Sequence, residues 1–416
     1  MSQTGANTPL SELANCTQVE NVLVFISDSL RYDYLPESVA ERGIVAKAIS
    51  PSTFTGSALP SITTGQYPSS HGVWMFNDQV QEKPEILSLD THNTGFDAEG
   101  IWIELSAEAK PPMRMNRLQE EKKLQDTEAP FVHFVHDMGP HAPYGFENGV
   151  FESTKQFFKK HEKSQAELRN LYEENCRTSA ERFLRLYDKL KQKDLLEDTL
   201  VIFTSDHGEA LGEKRNGGRF GHGHPLTPET VNVPIVFCGA GLPKGRSFDQ
   251  ILSGVDIVPT VLAALGVRRN TPTDGSEVWN STCKQSRLLR SEVWQHVELE
   301  VLKLSKDVSV YSACSAWNDS GGFVFNKKSV IERTAGLAYD NLFRGYSPAW
   351  KANFTLKKGL QMAKLALGST FAYGSPDFTV EEAERVVPSS LNDIQTGSTR
   401  TLSDDQKEHL KDMGYL

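Results

Sequence analysis

The chain has 416 residues, 38% hydrophobic and 24% charged, which are globular values and argue against a disordered or fibrous protein. Lys and Arg number 44 against 54 Asp and Glu, a net charge of −10 without a sustained basic block, so no nucleic-acid partner is expected. No run reaches the roughly 18 apolar residues of a membrane span. The five cysteines are scattered without a CxxC pair, which argues against a zinc ribbon or a disulfide scaffold and suits a reducing compartment.

Residues 1–18 read as a polar lead-in with neither a basic n-region nor an apolar h-region, so no signal peptide and a cytoplasmic location are expected. From Asn21 apolar runs alternate with helical patterns, which favours a parallel α/β sheet. "NVLVFISDSLRYD" runs from Val22 to Ile26 as a buried strand and then presents Asp28. In "SPSTFTGSALPSITTGQYPSSHGV", small hydroxyl residues and glycines open a short helix predicted from Ser57 to Thr64, with Gly65 at its end. "PFVHFVHDMGPHAPY" is a strand from Phe131 to Val135 that presents Asp137, with His141 four residues on. Cys176, Ala180, Phe183, Tyr187 and Leu190 then recur on one helix face as core positions. "LVIFTSDHGEALGE" is a third buried strand, ending in Asp206 and His207. "VPIVFCGAGLP" from Val233 is a further strand. "GVDIVPTVLAALGV" predicts a helix with Asp256 as its N-cap and Gly266 as its stop, which makes Asp256 structural. After about residue 285 the texture changes. "VSVYSACSAWNDSGGFVFN" predicts a hairpin turning at "NDSGG", "FRGYSPAWKANF" either lines a pocket or packs, and "SDDQKEHLKDMGYL" predicts a short closing helix.

Three buried-type strands thus end in an aspartate. In an open parallel sheet, ligands bind beyond the carboxyl ends of the strands. If the three strands are neighbours their carboxylates converge, and converging carboxylates repel unless a cation sits among them. With His141 and His207 alongside, the pattern predicts a metal site of mixed oxygen and nitrogen ligands. For any single Asp the competing reading is a turn or helix cap. A hydroxyl at a helix N-terminus that touches such a cation gains nucleophilicity. Ser52, Thr53 and Thr55 are placed for that, or serve as turn and cap residues.

Taken together, "NVLVFISDSLRYD", "TGQYPSSHGV", "HDMGPHAPY", "DTLVIFTSDHGE" and "VNVPIVF" resemble, in order, the successive blocks of the alkaline phosphatase superfamily, its sulfatase branch above all. The likeness covers about Asn21 to Gly266. It implies an α/β fold, a largely parallel mixed sheet sandwiched by helices, with a smaller C-terminal α+β subdomain. The expected divisions are the lead-in at 1–18, a catalytic domain at 19–284 and the subdomain at 285–416. By the same resemblance Asp28, Asp206 and His207 match the ligands of one metal, and Thr55 falls at the position of the nucleophile. His222, in "FGHGHPL", matches a residue that holds the substrate anion or a metal, with His224 as the fallback. Arg31 and His136 are assigned with His224 to substrate binding.

Two departures from the sulfatase pattern shape the expected chemistry. Sulfatases carry Cys or Ser in a C/S-x-P-S-R run, converted to formylglycine; this chain has Thr55 in "TFTGSALPS". Asp137 and His141 form D-x-x-x-H, which resembles the second metal site of the phosphodiesterase branch, with His222 as third ligand. The expected activity is hydrolysis of phosphate mono- or diesters through Thr55, aided by one or two divalent cations (Zn, Mn, Mg or Ca). The alternatives are a one-metal sulfatase-like enzyme, a phosphotransferase or mutase, and a non-catalytic binding protein. The expected substrate is a small-molecule or glycan phosphate or sulfate ester.

Overall fold

The computed structural model describes residues 8–99, 110–145, 153–283, 286–301 and 304–389, together with Leu391, Ser398, Thr399 and Lys407. The first strand, β1 (Asn21–Ser27), is buried along its whole length. It is followed by β2 (Ile44–Ile49), β3 (Asn93–Glu99), β4 (Phe131–Asp137), β5 (Thr199–Thr204), β6 (Asn232–Gly239) and the two-residue strands β7 (Arg246–Ser247) and β8 (Leu252–Ser253). All eight form one sheet in the order β7-β2-β6-β5-β1-β4-β3, with β8 beside β2. β1 is parallel to both β4 and β5, and β3 is parallel to β4, whereas β6 runs against β2 and β5. The expected largely parallel mixed sheet is thus present, and β6 supplies the mixed character.

Because side chains alternate along a strand, a strand buried on both faces feeds two cores. Val22, Val24 and Ile26 pack with Leu59 and Ile62 of helix α1 (Thr55–Thr64). Leu23 and Phe25 pack on the other face against helix α2 (Gln165–Gln192). There the predicted stripe of Cys176, Ala180, Phe183, Tyr187 and Leu190 is buried as expected. Phe25 lies 5.6 Å from both Phe203 and Phe183. Each fully buried side chain of this size contributes about 1.5–3 kcal/mol.

The edges of the domain are stitched by polar groups. The lead-in is not loose where it is described: Leu10 is buried, and the N–H groups of Leu10 and Ser11 donate to Val278 and Trp279. Asp256 is structural, as expected, but it does not cap helix α3 (Ile257–Ala264) through its side chain. Its carboxylate accepts from the backbone of Ser253 and Ser276 and pairs with Arg287.

The C-terminal part carries an antiparallel sheet of β9 (Leu289–Val301), β10 (Leu304–Trp317), β11 (Gly321–Asn326) and β12 (Thr370–Gly374). The predicted hairpin closes where Asn318 N–H donates to Gly321 C=O at 2.9 Å. Helices α4 (Val330–Leu342), α5 (Ser347–Ala352), α6 (Leu356–Leu367) and α7 (Val380–Val386) complete it. Bonds that tie this part to the large sheet's loops include Glu292 N–H to Pro51 C=O and Trp350 Nε1–H to Gly217 C=O. The predicted closing helix at "SDDQKEHLKDMGYL" lies outside the described residues, Lys407 excepted.

Candidate active site

Strand register decides which side chains meet. β1 and β4 pair Ile26 with His136 and Ser27 with Asp137, while β5 ends with Thr204 opposite Ile26. The segments that leave these strands therefore emerge side by side at the carboxyl edge. The turn after β1 is held open by Ser29 at φ +65°, a left-handed conformation that few non-glycine residues adopt. That conformation is secured from three sides. Ser29 N–H donates to Asp206 Oδ1 at 3.1 Å, Leu30 N–H to Ser205 Oγ at 2.8 Å, and Tyr172 O–H to Ser29 C=O at 2.6 Å.

Asp28 Oδ1 accepts from Ser29 Oγ at 2.8 Å, and its Oδ2 lies 3.4 Å from His136 Nε2. Asp206 Oδ1 accepts the backbone N–H of His207 as well as that of Ser29. Asp206 Oδ2 is buried and accepts no hydrogen bond. Asp28, His136 and Asp206 each offer one ligand atom, and these atoms lie within 4.8 Å of one another.

Thr55, the first residue of α1, sits beside this group and is fully buried. Its Oγ1 is 3.0 Å from His207 Nε2 and 3.4 Å from Asp28 Oδ2. His207 Nδ1 lies 2.9 Å from Gly208 C=O. A carbonyl can only accept, so Nδ1 carries a proton, and Nε2 is the ring atom that faces the Thr55 hydroxyl and, at 3.5 Å, Asp206 Oδ2. The loop before α1 is clamped to the loop of His222: Gly223 N–H donates to Thr53 C=O at 2.7 Å, and Thr53 Oγ1 donates to Gly223 C=O. The His222 ring then stands 4.3 Å from that of His207 and 5.0 Å from that of His141. His222 Nδ1 is 2.9 Å from Glu209 Oε2.

The two buried carboxylates shift in opposite directions. Burial would raise Asp28, but His141, His136 and His207 hold it well below the usual carboxylate range. Burial, followed by the charge of Asp28, raises Asp206. Burial would lower His136, but hydrogen bonding and charge from Asp28 raise it. Burial pushes His141 down to about 4 and His222 well below its ordinary value, and raises Glu209 well above the carboxylate range. Two like charges brought together split in this way unless a cation lies between them. The unsatisfied Asp206 oxygen, the Asp28 carboxylate and the His136 imidazole fit a divalent cation in donor type and spacing.

Several of these residues have other neighbours than expected. Asp137 was expected at a second metal with His141 and His222. Side-chain parity sends it to the opposite face of the sheet from His136, toward α2. There Arg182 donates to both carboxylate oxygens, Ser179 Oγ donates at 2.7 Å and Gly139 N–H at 2.9 Å. The cation beside Asp137 is thus a guanidinium, while His141 and His222 cluster near His207. His136, expected at the substrate, stands among the carboxylates. Arg31, also expected at the substrate, is taken by Asp33 at 2.7 Å, Glu213 at 2.5 Å and the Glu209 carbonyl. His224 lies 2.9 Å from Asp340 and 3.1 Å from Gln295, stacked on Tyr311.

Sequence reasoning passed over Glu209, although it directly follows "DHG", and Arg182 with Ser179, two polar residues on or beside the apolar stripe of α2. A crevice with room for no more than a water-sized group adjoins His222 and is bordered by Arg219, Arg344, Tyr346 and Trp350. Arg344, Tyr346 and Trp350 of the "FRGYSPAWKANF" stretch border this crevice.

The Sulfatase family profile matches residues 114–267. A Haloferax volcanii protein named as a low-salt glycan biosynthesis sulfotransferase is 40% identical over 98% of this chain and 99% of its own length. The chain belongs to the sulfatase family. An endo-4-O-sulfatase of Bacteroides thetaiotaomicron is 29% identical over 38% of the chain and 33% of its own length. Among solved structures, a phosphonate monoester hydrolase from Silicibacter pomeroyi superposes with a TM-score of 0.53 at 15% identity, covering 73% of this chain and 86% of that one. A 2-O glycosaminoglycan sulfatase gives 0.54 at 13% identity, covering 74% and 83%. These likenesses establish the fold of the sulfatase-family catalytic sheet. Divalent metal is a common feature of that superfamily, and the Asp28–His136–Asp206 group is compatible with it.

Proposed function

We propose that this sulfatase-family enzyme cleaves a monoanionic ester, a sulfate ester of a glycan in the first place, with Thr55 as the attacking group. The observation that carries this reading is the 3.0 Å contact between Thr55 Oγ1 and a His207 Nε2 whose partner nitrogen is committed to Gly208. His207 takes the hydroxyl proton as Thr55 Oγ attacks sulfur. The Oγ–S bond forms, the S–O bond to the leaving alcohol breaks on the side of sulfur away from Oγ, and the departing oxygen takes its proton from a donor on that side while His207 keeps the one it took. The N-terminal end of α1 adds positive potential where the anion sits. A divalent cation held by Asp28, His136 and Asp206 would polarise the ester and favour the deprotonated hydroxyl.

The second half-reaction follows from Thr55 itself. Threonine lacks the geminal hydroxyl by which formylglycine expels sulfate, so the sulfuryl group leaves only by attack at sulfur. Water gives hydrolysis and an acceptor alcohol gives transfer. The full burial of Thr55 restricts water, and the Haloferax volcanii relative is named as a sulfotransferase.

The expected preference for phosphate esters rested on the threonine nucleophile and on a second divalent cation beside Asp137, and Arg182 holds that carboxylate. With one cation group, a dianionic phosphomonoester is under-neutralised relative to a sulfate monoester or a phosphodiester. Hydrolysis of a phosphodiester or phosphonate monoester is the second reading, favoured by the threonine nucleophile. We take residues 19–284 as the catalytic domain and 285–416 as a subdomain that borders the His222 crevice. The test is a side-by-side assay of nitrophenyl sulfate, nitrophenyl phenylphosphonate, bis-nitrophenyl phosphate and nitrophenyl phosphate, with and without an acceptor sugar. Either monoanionic class should exceed nitrophenyl phosphate by at least about tenfold in kcat/KM, or roughly 1.4 kcal/mol. Preference for nitrophenyl phosphate would overturn the reading.

A further inference from the structure

Ten large hydrophobic residues are exposed among the described residues, and all but Tyr32 fall between Val330 and Leu367. They are not scattered within that stretch. On α4, Ile331, Ala335, Ala338 and Leu342 are exposed at the spacing of one helix face, with Tyr339 beside them. On α6, Leu356, Leu360, Ala363 and Leu367 repeat the pattern. The opposite faces of both helices are already satisfied, because Leu337 of α4 packs with Met362, Leu365 and Ala366 of α6. The helix pair is therefore apolar inside and outside. Ile331 is 81% exposed and Leu356 76%, and Phe343 and Phe354 extend the outer surface at the ends of α4 and α5. Exposed apolar area this concentrated marks an interaction surface.

Charge identifies what it meets. Residues 327–367 hold eight Lys and Arg against Glu332 and Asp340, a net charge of +6 in a chain of net −10, which leaves −16 on the remainder. Lys357 and Lys364 are exposed directly beside the α6 stripe, and Lys351 is exposed on α5. Apolar stripes flanked by lysines, on a body otherwise strongly acidic, match an anionic lipid surface. A second copy of this chain would fit poorly, since a two-fold contact through this face sets its own cations against one another. No helix among the described residues is long and apolar enough to cross a membrane, so the contact would be interfacial.

We propose that α4 to α6 form a docking surface for an anionic lipid bilayer. The link from α4 into α5 also carries Arg344, Tyr346 and Trp350 of the His222 crevice, so docking holds the rim of that crevice at the lipid surface.

The experiment is co-sedimentation of the full chain with vesicles of equal parts phosphatidylglycerol and phosphatidylcholine, and with phosphatidylcholine alone. The chain should bind the anionic vesicles at least tenfold more tightly, and binding should weaken with salt. Ile331→Ser combined with Leu356→Ser and Leu360→Ser, and separately Lys351→Glu with Lys357→Glu and Lys364→Glu, should each cut that binding at least tenfold. Both sets are solvent-exposed, so thermal unfolding and turnover of a soluble nitrophenyl ester should stay at wild-type level. Absence of wild-type binding to anionic vesicles, equal binding to both vesicle types, or wild-type binding by both variants would each overturn the proposal. So would a concentration-dependent dimer that the apolar substitutions abolish.

Discussion

Asp137→Asn separates a structural ion pair from a metal ligand. In the native chain the Asp137 carboxylate receives two Arg182 N–H groups together with Ser179 and Gly139. Its side chain is 2% exposed and that of Arg182 13%. Asparagine keeps the shape but removes the charge, and it sets an amide NH₂ against guanidinium donors. Breaking a buried pair by removing one partner costs about 3–5 kcal/mol, because the other charge stays buried. At about 2.1 cal/mol/K per residue, a 416-residue chain unfolding as one unit has an unfolding entropy near 0.9 kcal/mol/K, so Tm should fall by about 3–6 °C. Adding Arg182→Met should recover most of that loss, since no uncompensated charge remains. Bound divalent metal, read by plasma mass spectrometry, should be unchanged in Asp137→Asn and lost in Asp206→Asn. In chelator, Asp206→Asn should be no less stable than wild type, because it removes one of two carboxylates that repel. Loss of metal from Asp137→Asn equal to that from Asp206→Asn, with its chelated Tm unchanged, would refute the assignment of Asp137 to Arg182.

Further expectations test the site and its surroundings. Thr55→Ala should lose turnover by at least three orders of magnitude with metal content intact, whereas Thr55→Ser should retain measurable activity; near-native kcat in the alanine variant would move the nucleophile elsewhere. Thr55→Ala and His207→Ala should be strongly non-additive in kcat, since groups that act as one unit are not lost twice; full additivity would separate their roles. Burial holds His71 and His133 neutral with folded pKa values of about 3, below an unfolded value near 6.5. The unfolded chain therefore binds more protons between these values, and stability present above about pH 6.5 is lost as pH falls toward 3. Each residue should cost about 2 kcal/mol at pH 5 on this linkage. Unfolding free energies from urea titration at pH 7 and pH 5 should thus converge by that amount in His133→Gln, and an unchanged difference would count against a buried neutral His133.

Much of this protein is written locally. Apolar runs that end in Asp28, Asp137 and Asp206 specify buried strands and where they stop, and the stripe from Cys176 to Leu190 specifies the covering helix. Small residues from Ser52 onward specify a helix start near Thr55, although the helix begins two residues before the predicted Ser57. These features depend on hydrophobic period and turn chemistry within about ten residues, so sequence alone determines them. Which polar side chains face one another is decided by register and by partners far away in the chain. One step of strand parity places His136 among the carboxylates and turns Asp137 to Arg182, 45 residues on. Asp340 takes His224, and Glu213 takes Arg31, in the same way. The direction of β6 is also invisible locally, because a buried strand reads the same either way. A local pattern carries the chemistry of a side chain but not the cation or carboxylate that the fold brings to meet it, and that meeting decides whether an aspartate holds a metal or an arginine.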